Sequence, residues 1–147
     1  MQLIQNILSF NQILTVSLLG WLVAQVLKTI INFILLGKFQ LERMWGDGGM
    51  PSAHSATVCA MVIATGRCVG VDSAIFAVAS VVAIITMHDA MGVRMEAGKH
   101  AKAINELLEM LDSEETPEVK LKEFLGHTPM QVCCGAVLGF IVALALG

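Results

Sequence analysis

The chain has 147 residues, of which 56% are hydrophobic and 14% charged, with a formal net charge of −3 and a mean hydropathy of +0.74. This composition excludes an ordinary soluble domain, and the basic residues form no run that would bind nucleic acid. Several apolar runs approach the roughly 20 residues that cross a bilayer as a helix. We therefore expect one all-α domain over residues 1–147, an integral membrane helical bundle of about four spans.

The first predicted elements are an interfacial helix over residues 1–10 and a membrane helix over residues 13–36. The first 27 residues carry no charged side chain, so the positive start of a secretory signal peptide is absent and we expect a mature N-terminus. Gln25, Lys28 and Asn32 share one face of the membrane helix. A lysine inside a span costs about 3 kcal/mol or more unless it meets a partner or reaches the headgroups. Its polar neighbours favour an inward-facing cation, and a lysine stretching to the headgroups is the alternative.

Three more spans are predicted over residues 52–71, 73–93 and 128–147. The first of them has small residues that would let another helix approach closely, namely Ala53, Ala56, Ala60, Ala64 and Gly66. Asp89, near the end of the next span, is expected to face the bundle, and Arg94 lies too far round the helix for an ideal ion pair. The cysteines are expected to be free thiols, at positions Cys59, Cys68, Cys133 and Cys134.

Residues 95–125 form the predicted extramembrane insertion, with two amphipathic helices lying on the membrane or at the mouth of the bundle. The first has a narrow apolar seam of Ala97, Ala101, Ile104, Leu108 and Leu111. The second opens at Thr116-Pro117 and carries Leu121, Phe124 and Leu125 on one side.

Four spans place the loops at 37–50 and 94–127 on one side of the membrane. Of nine lysines and arginines, seven lie on that side: Lys38, Arg43, Arg94, Lys99, Lys102, Lys120 and Lys122. Only Arg67 lies on the other side. By the positive-inside rule we expect these loops to be cytoplasmic in the cell membrane.

A glycine-rich stretch at residues 46–55 opens the second span. Gly48 and Gly49 free the backbone so that loop N–H groups can converge, and Pro51 suits the first turn of a helix. Ser52 and His54 then lie at a helix N-terminus, which attracts anions. A phosphate site is one interpretation, and a glycine-rich connector with a capping serine is the other.

A similar helix start follows at residues 126–129, on the same side of the membrane. Gly126 stops the preceding helix, Thr128 can cap the next one, and Pro129 fits its first turn. His127 therefore enters the membrane from the same face as His54. One histidine can attack phosphorus and the other can protonate the leaving oxygen, which suits a phosphorylated group at a membrane surface.

These motifs resemble a known family, the type 2 phosphatidic acid phosphatases (PAP2), which are related to vanadium haloperoxidases. The stretch Met50-Pro51-Ser52-Ala53-His54-Ser55 is similar to their proline-serine-small-histidine motif. Residues 126–132, followed by Gly135 and Gly139, resemble their third motif. With residues 89–94 and 97–99 included, the chain resembles the divergent branch of that family.

The resemblance implies a metal-independent phosphatase acting on a lipid phosphate or polyprenyl (pyro)phosphate through a phospho-histidine. It makes His127 the nucleophile and His54 the general acid. The implied phosphate ligands are Lys28, Arg43, Gly49 and Ser52, and Gly48 of the glycine-rich stretch is a further candidate. Two positions depart from the main family: Gln131 replaces an aspartate that orients the nucleophilic histidine, and Leu121 replaces an arginine. Asp89 is a candidate for the missing carboxylate and Arg94 for the missing cation.

Two alternatives remain at this stage. The first is a lipid-phosphate binding or transport protein that has the pocket without turnover, which Gln131 favours. The second is a metal-dependent membrane hydrolase using His88, Asp89, Glu96 and His100, for which a solvated charged face is the simpler interpretation.

Overall fold

The computed structural model describes residues 11–36, 49–111, 121–123 and 125–146. These residues form five α-helices. In chain order they are α1 (Gln12–Leu36), α2 (Ala53–Val69), α3 (Ala74–Met91), α4 (Val93–Leu111) and α5 (Pro129–Leu146). The predicted interfacial helix at 1–10 lies outside the described residues, as do Arg43 and Gly48.

Among the described residues, three helical segments contain a stretch long and apolar enough to cross a membrane: Gln12–Ile34, Ala74–Met110 and Pro129–Leu146. They confirm three of the four predicted spans and the class of an all-α membrane bundle. The fourth, α2, is apolar but has 17 residues and falls below the length of the other three. That length is at the lower limit of about 17–25 residues for a span.

The predicted start of α2, residue 52, is one residue before the observed first residue, Ala53, and the prediction that Pro51 lies in the first turn is wrong. Pro51 lies before the helix, after a cis Met50-Pro51 bond, and Ser52 is the N-cap with extended backbone angles. Its Oγ accepts a hydrogen bond from the Ser55 N–H, so the Ser52 cap, and not Pro51, determines where α2 begins. Ser73 caps α3 in the same way, and its Oγ accepts a hydrogen bond from the Phe76 N–H at 3.2 Å.

The second helix is the centre of the bundle and contacts α1, α3 and α5. Its small residues make this approach close, as predicted: Ala53, Ala56, Ala60 and Ala64 are all buried. A Cβ added to Gly20 of α1 would lie 3.0 Å from the Ala60 Cβ, and one added to Gly139 of α5 would collide with the Ala56 carbonyl. Small residues on facing helices therefore hold the bundle together.

Both α2 and α5 begin at one end of the bundle and finish at the other. At the far end, Arg67 Nη1 donates to the carbonyls of Ala143 and Leu144 at 3.4 and 3.3 Å, near the last turn of α5. At the near end, the Ser52 N–H donates to the Gln131 carbonyl at 3.1 Å. The two helices are thus parallel, so their N-termini lie side by side.

The insertion differs from the prediction. The buried face of α4 is Gly98, Ala101 and Asn105, whereas Ile104 of the predicted seam is 44% exposed. Leu121–Glu123 are not helical, so the predicted second helix is wrong over these residues. The cause is Asn105, whose side chain donates to the Leu121 carbonyl and accepts from the Leu121 N–H, both at 2.9 Å. An amide that pairs with both backbone groups of one residue favours an extended segment over a helix.

Candidate phosphate site at the paired helix N-termini

Two histidines meet where α2 and α5 begin. The ring centroids of His54 and His127 are 6.3 Å apart, with the ring planes inclined at 58°. Gly135 makes this possible, since a Cβ there would collide with the Ser52 carbonyl. The two motifs, 73 positions apart in sequence, therefore converge as their shared membrane face predicts.

His127 is held by contacts with the end of α3 and the start of α4 and is only 3% exposed. Its backbone N–H donates to the Ala90 carbonyl at 2.9 Å, at the end of α3. Gly126 before it has φ +85° and lies against the Met95 backbone, so a side chain at position 126 would be strained and crowded. The α3–α4 junction thereby fixes the position of the histidine.

Gln131 closes a capping box at the start of α5. Its backbone N–H donates to Thr128 Oγ1 at 3.4 Å, and its Oε1 accepts from the Thr128 N–H at 3.0 Å. This confirms Thr128 as the predicted cap and Pro129 as the first helical residue. The same Oε1 is 3.4 Å from His127 Nδ1. Gln131 thus occupies the orienting position next to the imidazole, with a neutral oxygen.

Ser52 is fully buried between the two helix starts. Its Oγ accepts from the Ser55 N–H at 3.3 Å and from the Ser55 hydroxyl at 3.0 Å. Two accepted bonds direct the remaining Ser52 hydroxyl hydrogen away from Ser55. A phosphate oxygen is the kind of acceptor that such a hydrogen suits.

Lys28 faces inward, as predicted, and is 3% exposed. Its stem passes below Gly49, whose added Cβ would lie 3.5 Å from the Lys28 Cγ. Gly49 has φ +85°, the conformation for which its sequence position predicts a glycine. Gln25 on the same helix is also buried, and its Oε1 has no hydrogen-bond partner among the described residues. A buried cation and a polar neighbour therefore lie beneath the glycine loop.

A cavity of about 380 Å³ opens at this end of the bundle. Its wall includes Gly49, His127, Thr128 and Gln131, together with residues of α4 and of the segment before α5, where Glu123, Leu125 and Gly126 contribute. The α4 residues include Lys99 and Lys102, which the sequence placed among the positive charges on one side of the membrane. Their i, i+3 spacing places both lysines on one face of the helix, but the spacing does not show whether that face is directed toward the candidate site. The cavity thus has two cations that the motifs did not predict.

These two lysines have carboxylate neighbours. Lys99 Nζ donates to Glu96 Oε1 at 2.7 Å, and Lys102 Nζ lies 3.7 Å from Glu106 Oε1. The hydrogen bond from Lys99 lowers the pKa of Glu96, so this carboxyl is ionised at neutral pH. The pairs are solvent-exposed and therefore weak, so an anion in the cavity can compete for both lysines.

Asp89 and Arg94 pair with each other, contrary to the expectation that they lie too far apart. Arg94 Nε is 2.9 Å from Asp89 Oδ2. Gly92 explains the pair, because it ends α3 and the chain turns there before α4 begins at Val93. Two residues five positions apart, which would be poorly placed for pairing on one straight helix, are brought together by this break. The partner that the structure gives the Asp89 carboxylate is thus Arg94, and Gln131 is the residue beside His127.

The four residues considered for a metal site lie within the described part of the chain, where no cluster of three or more His, Cys, Asp or Glu fits a metal ion. Asp89 and Glu96 each contact a cation instead. All four cysteines are free, as predicted.

The fold defines an all-α membrane helical bundle, and its candidate site brings His54 and His127 together at two helix N-termini. Residues 9–142 match the Divergent PAP2 family, and the chain belongs to it. The chain is similar to the uncharacterized membrane protein YuiD of Bacillus subtilis (strain 168). The two are 40% identical over 142 residues, covering 88% of this chain and 90% of the relative. No solved structure matches the chain significantly.

Proposed function

We propose that the protein is a membrane phosphatase that hydrolyses a lipid phosphate or polyprenyl (pyro)phosphate through a phospho-histidine at His127. The observation that carries this proposal is the 6.3 Å pairing of His54 and His127 at two parallel helix N-termini. Helix N-termini attract anions, and the cavity beside His127 is lined by Lys99 and Lys102. Family membership adds a relationship to phosphatases.

The proposed reaction has two displacements at phosphorus. Nδ1 of His127 faces Gln131, so Nε2 is the nitrogen that attacks. The bond from phosphorus to the leaving oxygen breaks, and His54 gives that oxygen its proton. Water then attacks the phospho-histidine, His54 takes the water proton, and phosphate leaves with Nε2 restored.

The phosphate is proposed to bind between the glycine loop and the cations. Gly48 and Gly49 supply loop amides, Ser52 its hydroxyl, and Lys28, Arg43 and Arg94 positive charge. Lys99 and Lys102 join this set because they line the cavity. Positive charge and fixed N–H donors stabilise the charge that develops on the transferring group. Asp89 acts through Arg94, whose guanidinium it holds.

The test is phosphate release from lipid phosphates by purified protein in chelator. We expect His127→Ala to abolish release and His54→Ala to lower kcat by about 10²–10⁴-fold, the usual contribution of a general acid. His88 and His100 are exposed histidines that do not line the cavity, so His88→Ala and His100→Ala are matched controls. Activity that survives His127→Ala contradicts the mechanism.

A second candidate is a lipid-phosphate binding or transport protein without turnover. The observation that favours it is the neutral Gln131 oxygen at 3.4 Å from His127 Nδ1, where an orienting carboxylate would stabilise an imidazolium. Saturable binding without phosphate release across the same substrates would support this candidate.

A further inference from the structure

A second cavity lies on the membrane-facing side of the candidate site. It is a groove of about 270 Å³ between α1 and α5. Its walls are Leu27 and Ile31 on α1 and Val137 and Ile141 on α5, and Cys134 and Leu138 complete the α5 side. Each of these side chains is apolar, so the groove fits a hydrocarbon ligand.

The groove lies next to the cavity that His127 lines, because neighbouring positions in two parts of the chain line the two. Gly49 lines the cavity, and the next two residues, Met50 and Pro51, line the groove. On α5, Gln131 lines the cavity and Cys134, one turn later, lines the groove. From Gln131 to Ile141 the helix rises about 15 Å. One amphiphilic molecule can therefore place its head in the cavity and its chain along α5.

The groove is less suited to a partner helix. Helices that pack in membranes approach through small residues, as α2 and α5 do at Gly135 and Gly139. The groove walls carry larger branched residues, and Val137 and Ile141 are 60% and 55% exposed. This open side faces the bilayer, which allows a lipid to enter sideways.

We propose that this groove binds the hydrocarbon chain of a phosphorylated lipid whose headgroup occupies the neighbouring cavity. The inference rests on the proposed function for the identity of the headgroup. It deepens that function by making the substrate a membrane-resident amphiphile, because a free phosphate ester would leave the groove unused.

The test is photolabelling of the full chain in vesicles, with a lipid phosphate that carries a photoreactive group in its tail. The His127→Ala variant is used so that turnover does not remove the ligand. We expect labels to concentrate on Cys134, Val137 and Ile141. The neutral lipid with the same tail is the control, and it should label these positions no more than the lipid-exposed Ile84 and Ile85 of α3.

A substitution that fills the groove with a larger side chain gives a second test, in a protein that keeps both histidines. Val137→Trp should raise KM for a long-chain lipid phosphate on the order of ten-fold, the effect of losing roughly two buried methylene groups. It should leave hydrolysis of the water-soluble p-nitrophenyl phosphate unchanged. Phe140→Trp is the matched control, since Phe140 is an exposed aromatic on the same helix outside the groove.

The outcomes separate the two proposals. If the lipid phosphate labels the groove but the wild type releases no phosphate, the proposed lipid groove is supported and the proposed hydrolysis is wrong. If the wild type releases phosphate but the lipid phosphate labels the same positions as the neutral lipid, the proposed groove is wrong and the proposed hydrolysis is supported. Equal KM values for Val137→Trp and Phe140→Trp would also overturn the groove.

Discussion

At the scale of single residues, Gln131 combines a structural and a proposed catalytic task. Its Oε1 closes the capping box with Thr128 and lies beside His127 Nδ1. Glutamate has the same length and keeps this acceptor, and its charge is favoured at a helix N-terminus. Position 131 is therefore where the chain can be altered to supply the carboxylate that the main PAP2 family has.

We expect Gln131→Glu to raise kcat about ten-fold or more with little change in KM, because a carboxylate stabilises positive charge on the histidine ring. Gln131→Met removes the oxygen and should lower kcat. Steady-state phosphate release measures both. Ser73→Ala, which removes the N-cap of α3 at the far end of the bundle, is the control for cap loss alone. Equal kcat values for Gln131→Glu and Gln131→Met would contradict a positioning role.

The two cavity lysines give a second prediction at this scale. Lys99→Gln and Lys102→Gln should each raise KM on the order of ten-fold, because each removes a charge that faces a bound phosphate. Lys122→Gln removes an equal charge from an exposed residue outside the cavity and should leave KM unchanged. Similar KM values in all three variants would show that only the overall charge matters.

At the scale of elements, α4 contributes to the site through its contact with the 121–126 segment. Gly98 admits that segment closely, since an added Cβ would lie 2.5 Å from the Glu123 carbonyl. Asn105, which is 6% exposed, then bonds to both backbone groups of Leu121 and to Glu123 Oε1. One polar side chain thereby fixes a wall of the cavity.

We expect Asn105→Ala to lower the free energy of unfolding by about 1–3 kcal/mol, the cost of leaving buried polar groups unpaired. The backbone N–H of Leu121 should lose its protection in amide hydrogen exchange. Ile104→Ala, an exposed neighbour on the same helix, is the control. Unchanged protection at Leu121 in Asn105→Ala would contradict this account of the segment.

At the scale of the whole molecule, the parallel α2 and α5 create a bundle with chemically different ends. The end with both histidines adjoins Lys99 and Lys102, and the other end has Arg67 bonded to α5. This asymmetry supports the proposal that the histidine end faces the cytoplasm, where positively charged loops concentrate.

Cysteine labelling in intact cells tests this orientation. In a variant that keeps only Cys68, an exposed residue at the far end of α2, we expect reaction with a membrane-impermeant maleimide from outside. A cysteine introduced as Glu109→Cys in a cysteine-free chain should react only after permeabilisation. The opposite pattern would place the site on the outer face.

The sequence by itself determined the helices of the membrane bundle and their starting signals. Apolar runs, the cap at Ser73 and the Thr128-Pro129 start are local, and local chemistry is sufficient to specify them. It also favoured an inward-facing Lys28 over a lysine that reaches the headgroups, because a lysine inside a span is costly unless it meets a partner.

Only the tertiary structure decided which groups surround the cavity. The Asp89–Arg94 pair depends on the turn at Gly92, and the extended backbone at Leu121–Glu123 depends on Asn105, 16 positions earlier in the chain. The positions of Lys99 and Lys102 depend in turn on how α4 leaves α3. These features arise from contacts between distant segments and from the angle at one glycine, and helical periodicity contains no information on either.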